Sequence, residues 1–352
     1  MFKNLFKKFS RDVGIDLGTC NTLIYVKDKG IVVSEASIVA INNRNDQILA
    51  VGEEAQKMLG KTPPHITISK PLVDSIISDF EVTEKMLKYF IDRISRESFG
   101  LSPRPRVVIG VPLDVTEVEK KAVEDVVLSA GAREVYLIEN VIATAIGARL
   151  PIQDPSGNMI VDLGGGITEI AVISLSGVVA WKSLRIAGNK LDQDIIQFAH
   201  NEFNLLVGER VAEDIKIKAG RVIESGEPAE LRMRGRDLMT GLPKEVIITT
   251  DQVKQAIQRS VIAIIEGIKG TLEITPPELV ADIYQRGMIL AGGGALLTGL
   301  DQVIAKATKI PVKVIEDALT CAVRGMGLVL EDDNLLREVA IPSSTHEDKN
   351  LR

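Results

Sequence analysis

From Asp12 onward, short blocks of consecutive apolar residues alternate with longer stretches whose apolar positions recur every three or four residues. The first pattern predicts buried strands and the second predicts helices with one face inward. Val13–Leu17, Thr22–Val26 and Ile31–Val33 read as strands joined by glycine-containing turns. Val82–Ser98 has Val82, Met86, Tyr89, Phe90 and Ile94 at helical spacing and runs into a Gly/Pro loop, 99–105. Val107–Val111 predicts a buried strand and Thr116–Ser129 a helix, with Thr116 as N-cap and Glu119 three residues on. Strand Tyr136–Ile138, helix Ile142–Leu150, and strands Met159–Leu163 and Thr168–Ser174 follow, the last two flanking a triple glycine. Lys190–Phe203, Ala212–Ala219, Asp251–Leu272, Glu278–Gln285 and Ala295–Thr308 read as helices. From Ile341 the chain is polar and aperiodic, which predicts a disordered tail. Alternating strands and helices imply an α/β fold.

The first nine residues stand apart. Phe2, Leu5, Phe6 and Phe9 share one helical face, and Lys3, Lys7 and Lys8 lie on or beside the other. This is the pattern of a short helix lying in a membrane surface, aromatics among acyl chains and lysines near anionic headgroups. A first helix packed on the protein's own core has the same spacing.

Composition narrows the options. At 352 residues the chain is long enough for two or more domains. Aromatics are only 4%, so aliphatic residues must build the core, as in proteins with buried parallel strands. A formal charge of −6 argues against nucleic acid as a partner. Cys20 and Cys321 are too few for a disulfide framework, and His65, His200 and His346 are too scattered for a zinc site. No apolar run is long enough for a spanning helix or a secretory signal, so a cytoplasmic protein is expected.

One internal echo carries chemistry. Asp16-Leu17-Gly18-Thr19-Cys20-Asn21-Thr22 recurs, 146 residues on, as Asp162-Leu163-Gly164-Gly165-Gly166-Ile167-Thr168. Each copy is an apolar strand closing on Asp, a turn of small residues and a second apolar strand. The repeat predicts a duplicated α/β domain whose copies face one another across a cleft. Glycine turns let successive backbone N–H groups approach phosphate oxygens, and each Asp can hold a hydrated Mg²⁺. A third cluster, Gly292-Gly293-Gly294-Ala295, follows the apolar strand Met288–Ala291 and suits a nucleotide's base or ribose. No Walker A sequence is present, and no GxGxxG motif follows a strand.

These three motifs resemble the two phosphate loops and the adenosine motif of the actin, sugar-kinase and heat-shock-chaperone ATPase superfamily. Within it the chain is similar to the MreB family of bacterial actins. Further matching stretches are Arg106–Pro112, Ala145–Ala148, Thr240–Pro243 and Thr275–Val280, and the likeness runs from about Arg11 to about Glu331. The resemblance implies an actin-like ATPase fold with four subdomains around a nucleotide cleft. It implies a membrane-binding helix over 1–10, a first half over 11–143 with a small subdomain at about 32–70, and a second half over 144–320 with a small subdomain at about 181–249. Residues 321–340 would return to the first half, ahead of the tail 341–352.

The resemblance also implies residue roles. ATP and Mg²⁺ would be held by Asp16, Gly18, Thr19, Cys20 and Asn21, by Asp162, Gly164, Gly165 and Gly166, and by Gly292 to Ala295. Asp16 and Asp162 would act on the metal through water, and Thr19 and Asn21 would meet the β- and γ-phosphates. Glu213-Asp214-Ile215-Lys216 matches the ribose and adenine contacts, although read alone Glu213 and Lys216 make an ordinary surface ion pair. Two departures bear on turnover. The family's water-activating Glu is Asn140 here, next to Glu139, and its water-binding Thr is Ile167. Together they imply ATP binding with slowed hydrolysis, unless Glu139 or Thr168 takes over. Phe99 and Leu101 fall in the family's second membrane-touching loop, though loop apolar residues are often tucked inward. Helix Thr116–Ser129, centred on Val118, matches the contact between antiparallel protofilaments. The implied protein is a filament-forming bacterial actin, peripheral at the inner face of the cell membrane. Its implied partners are its own copies and membrane proteins of the wall-elongation machinery, and its role is cell shape. A soluble kinase or chaperone-type ATPase of the same superfamily is the competing reading.

Overall fold

The computed structural model describes residues 12–96, 104–224 and 229–342. The N-terminal face of Phe2, Leu5, Phe6 and Phe9, and the loop with Phe99 and Leu101, lie outside the described residues. The chain forms two units. Unit 1 runs through Pro155, takes in Ser174–Val178 and resumes at Thr320; unit 2 is Ser156–Ile173 and Val179–Leu319.

Unit 1 is built on five strands: β1 (Val13–Leu17), β2 (Asn21–Val26), β3 (Gly30–Ala36), β4 (Arg106–Val111) and β5 (Glu134–Glu139). Their order is β5-β4-β1-β2-β3; β1, β2 and β3 meander antiparallel, and β4 and β5 join parallel. The parallel strand β4 is buried along nearly its whole length, the pattern of a strand covered on both faces. Val13, Ile15, Val107 and Ile109 pack with α1 (Phe80–Arg96) and α2 (Glu117–Ser129). On the opposite face, Gly14 and Gly110 accept Met326 of the helix Cys321–Glu331. That helix meets α3 (Asn140–Gly147) backbone to backbone: a Cβ on Gly325 would lie 1.8 Å from Ala143 O, and one on Gly147 would lie 2.0 Å from Cys321 O. Arg106 ties the start of β1 to the last described helix, Asp333–Val339, pairing with Asp12 and Asp333 at 2.8 Å each. The expected Thr116–Glu119 capping box is present.

Unit 2 repeats the sheet. Strands β6 (Asn158–Leu163), β7 (Thr168–Ser174), β8 (Gly177–Leu184), β9 (Met288–Ala291) and β10 (Val312–Val314) run in the order β8-β7-β6-β9-β10. Again a hairpin, β6–β7, is extended by parallel partners, β9 and β10. Helices α4 (Gly188–Phe203), α5 (Glu209–Ala219) and α6 (Thr250–Glu273) supply Leu191, Ala212, Ile215 and Ile257 to its core. Each unit also has a three-stranded sheet of its own, centred on Val39–Asn42 in unit 1 and on Glu230–Asp237 in unit 2. The two sheets share one plan, as the duplicated α/β reading expects.

Two expectations change. The helix read over Ala295–Thr308 is two pieces, a 3-10 turn Gly293–Leu296 and a helix Leu300–Thr308, because Gly299 breaks the run at φ 82°. Ile341, read as the start of the tail, donates its N–H to Leu137 O at 2.9 Å and packs on the unit 1 core.

Candidate functional site

In unit 1 the strand β1 ends Asp16-Leu17, with Leu17 opposite Thr22 of β2, so the chain must reverse within Gly18–Asn21. Gly18 N–H closes the turn on Asn21 O at 3.1 Å. Its brace is a pair of hydroxyls. Ser37 Oγ donates to Gly18 O at 2.6 Å, and Ser37 N–H donates to Cys20 O at 2.8 Å. With its proton so committed, Ser37 Oγ accepts from Thr22 Oγ1 at 2.9 Å. On the other side Thr19 Oγ1 accepts from Ser75 N at 2.7 Å. Ser75 and Asp74 are the two-residue tip of the hairpin Leu72–Val73/Ile76–Ile77, with φ of 62° and 50°. Left-handed residues in pairs belong to type I′ hairpin turns, so the strain serves a tight reversal that ends against Thr19. Asn21 is exposed and Thr19 buried.

The second turn occupies the same place in unit 2. Leu163 pairs with Thr168, and Gly164 N–H closes on Ile167 O at 3.0 Å. Here the brace is backbone: Gly188 N–H donates to Gly164 O at 3.1 Å and Asn189 N–H to Gly165 O at 2.8 Å, both from the start of α4. Lys216 of α5 donates to Gly188 O at 3.0 Å and to Asp192 Oδ2 at 2.8 Å. The third glycine cluster presses on the same strand end. Gly292 has φ 78°, and a Cβ there would come within 2.5 Å of Asp162 Oδ1 and 2.4 Å of Leu163 O. Unit 2 therefore gathers Asp162, Gly164–Gly166, Gly292–Gly294 and Lys216 around one strand end. Of the four residues Glu213–Lys216, Ile215 faces the core, Asp214 is exposed, and Glu213 and Lys216 are half-buried.

At both departures the end of the side chain is buried. Ile167 is only 5% exposed. Asn140 Oδ1 is buried with no hydrogen-bond partner among the described residues, 2.0 Å from where a Cβ on Gly110 would stand. Burial pushes the neighbouring Glu139 carboxyl above its usual range, against the opposing pull of Lys120. The site residues not anticipated from sequence are Ser37, Ser75, Gly188, Asn189 and Asp192. Among them only the Asp74-Ser75 hairpin tip has a local sequence cue, a small polar pair between Val73 and Ile76.

Residues 10–338 match the family model described as MreB/Mbl protein. The cell shape-determining protein Mbl of Bacillus subtilis is 48% identical over 324 residues, which are 92% of this chain and 97% of that protein. The cell shape-determining protein MreB of Escherichia coli K12 is 46% identical over 337 residues, 94% of this chain and 96% of its own. Among solved structures, MreB5 of Spiroplasma citri, bound to ADP or to AMPPNP, superposes with a TM-score of 0.88 at 33% identity. The match covers 94% of this chain and 98% of the other. The MamK double helical filament, at a TM-score of 0.76 and 23% identity, shares the fold.

Proposed function

The chain belongs to the MreB/Mbl family, and from that premise we propose that it is an ATP-binding bacterial actin whose filaments, held at the inner face of the cell membrane, determine cell shape by organising wall synthesis. One observation carries the nucleotide part. The turns Gly18–Asn21 and Gly164–Ile167 close with the same hydrogen bond at the same strand position in two equivalent sheets. A turn of this kind suits a polyphosphate, whose oxygens its backbone N–H groups can meet. The solved structures of the S. citri relative, bound to ADP and AMPPNP, support that ligand class.

In this reading Thr19, Asn21 and the glycines of both turns bind the phosphates, and Glu213, Lys216 and Gly292 to Gly294 bind the nucleoside. Asp16 and Asp162 would hold Mg²⁺ through water. Among the described residues no three metal-ligating side chains cluster, so the ion would take most of its ligands from phosphate and water, its usual habit. When bound, ATP supplies the phosphoanhydride. The chain's own contribution to its hydrolysis is weak: Ile167 has no group to hold a water, and Asn140 turns its oxygen into Gly110. The small sheets centred on Val39–Asn42 and Glu230–Asp237 support a four-subdomain division, with the small parts at about 32–70 and 181–249.

Self-association is favoured by Val118, an apolar side chain 79% exposed in the first turn of α2, away from the buried face of Val123, Val126 and Val127. Membrane attachment rests on Phe2, Leu5, Phe6 and Phe9, with Phe99 and Leu101 as a second contact. No described helix is long and apolar enough to cross a membrane. Membrane proteins of the wall-elongation machinery are the expected partners. Sedimentation of the full chain with Mg-ATP, alone and with anionic vesicles, tests the reading. Polymer that pellets only with nucleotide, and more readily with vesicles, is expected. A protein that binds ATP and stays monomeric in both conditions would point instead to a soluble kinase or chaperone-type ATPase of the superfamily.

A further inference from the structure

Unit 2 contains an acidic side chain that the phosphate turns do not use. Asp192, one turn into α4, is 8% exposed. Its Oδ2 accepts from Lys216 Nζ at 2.8 Å, while its Oδ1 is buried with no hydrogen-bond partner among the described residues. Lys216 makes its other bond to Gly188 O, and Gly188 N–H in turn holds Gly164 O. A line of contacts therefore runs from the glycine turn, through the start of α4, to the ammonium on α5. Burying a carboxylate with half its acceptor capacity unmet is costly. Where such a cost persists beside a binding loop, a role in binding accounts for it.

We propose that Asp192 is a positioning residue of the nucleotide site, fixing the Lys216 ammonium beside the glycine turn so that a bound nucleotide meets it in one orientation. The inference rests on the reading of Gly164–Gly166 and Lys216 as nucleotide-binding. A free lysine samples many rotamers, and a restrained one has already lost that freedom before the ligand arrives.

The electrostatics agree with the geometry. From α5, Lys216 faces Asp192 together with two carboxylates, Glu213 and Glu209. On α4 itself Lys190 pairs with Asp194, and α6 meets α4 through Ser260, which donates to Asp194. Burial outweighs the pull of Lys216 and lifts the Asp192 carboxyl to about 6. An acid whose folded value is raised binds its proton more tightly folded than unfolded. Its charge therefore costs stability above about pH 6, and the cost is relieved as pH falls toward the unfolded value. Replacing Asp192 by its neutral isostere removes that cost and keeps only a weak dipole for Lys216.

The test compares the full chain with its Asp192→Asn variant, titrated calorimetrically with Mg-AMPPNP from pH 5 to 8, below the concentration at which polymer forms. The difference between the two proteins cancels the titration of the nucleotide's own phosphates. The variant is expected to bind about tenfold more weakly at pH 7.5, the gap closing as pH falls through about 6. Its unfolding temperature without nucleotide should equal or exceed that of the unsubstituted protein. Equal affinities at pH 7.5, or a gap that does not change with pH, would overturn the proposal. A variant that melts lower or does not fold would also overturn it, because Asp192 would then be a structural group. If the unsubstituted chain binds no AMPPNP at any pH, the nucleotide reading itself fails, and the inference falls with it.

Discussion

The turns Gly18–Asn21 and Gly164–Ile167 close at 3.1 and 3.0 Å on the same pair of positions, yet they are braced in different ways. The first leans on side chains: Ser37 and Thr22 on one flank, Ser75 through Thr19 on the other. The second leans on backbone from the start of α4 and on the close approach of Gly292. A side-chain brace can be removed by deleting one hydroxyl. A backbone brace can be disturbed only by adding bulk where none fits. One duplicated turn thus has two different vulnerabilities: a lost hydroxyl in the first, and added bulk at Gly292, against Asp162 and Leu163, in the second.

The largest effect should come from crowding the second turn. Gly292→Ala places a Cβ within 2.5 Å of Asp162 Oδ1 and Leu163 O at a φ of 78° that alanine adopts poorly. A loss of about 3 kcal/mol or more is expected in chemical denaturation, with ATP binding abolished. Wild-type binding by this variant would mean that the third cluster does not support the second turn.

Next is turnover, which tests the residues that close or neighbour the turns. Combining Asn140→Glu with Ile167→Thr should raise single-turnover hydrolysis by about tenfold or more, since positioned acid–base groups contribute roughly 10²–10⁴-fold. The gain should cost stability, because Ile167 is buried and a carboxylate at 140 cannot stay against Gly110. On the proposed reading both changes act on one water, so their effects should be non-additive. In the unsubstituted protein, any residual hydrolysis that depends on Glu139 as base should fall on acidification through a value above the usual glutamate range, as burial dictates. Equal rates in the two proteins, with the same pH profile, would assign the water to another group.

The smallest effect sharpens the first turn. Ser37→Ala leaves Gly18 O without its donor and Thr22 without its acceptor. About 1–3 kcal/mol of stability should be lost, with a modest weakening of ATP binding. An unchanged melting curve would show that the Ser75 flank holds the turn alone.

Much of the frame is readable from the chain because it rests on local signals. Val13–Leu17 and Thr168–Ser174 form over the residues their apolar runs predict, and Thr116 caps its helix. The hairpin Glu230–Asp237/Pro243–Thr249 escapes because its strands are largely exposed and rich in charge; only Met233 and Ile248 are fully buried in it. The helix Cys321–Glu331 escapes because Gly325 and Gly327 look like breakers, whereas in the fold they are contact points. The glycine turns are legible since their chemistry is contiguous. Ser37 and Asp192 are not, because their partners, Gly18 and Lys216, are brought to them by sheet pairing and by the packing of α4 on α5. Nothing in either residue's neighbourhood along the chain points to the other.

The glycine contact between α3 and the helix Cys321–Glu331 also sets an order of events during synthesis. Unit 1 begins first, but one face of its sheet, with Gly14 and Gly110, is covered by Met326, and its Arg106 waits for Asp333. Unit 2 has all its residues by Leu319. On the ribosome, the half that emerges first is therefore the half that finishes last. Its apolar β1–β4 surface stays open until the helix Cys321–Glu331 has been made, an interval in which newborn chains depend on helpers that shield such surfaces.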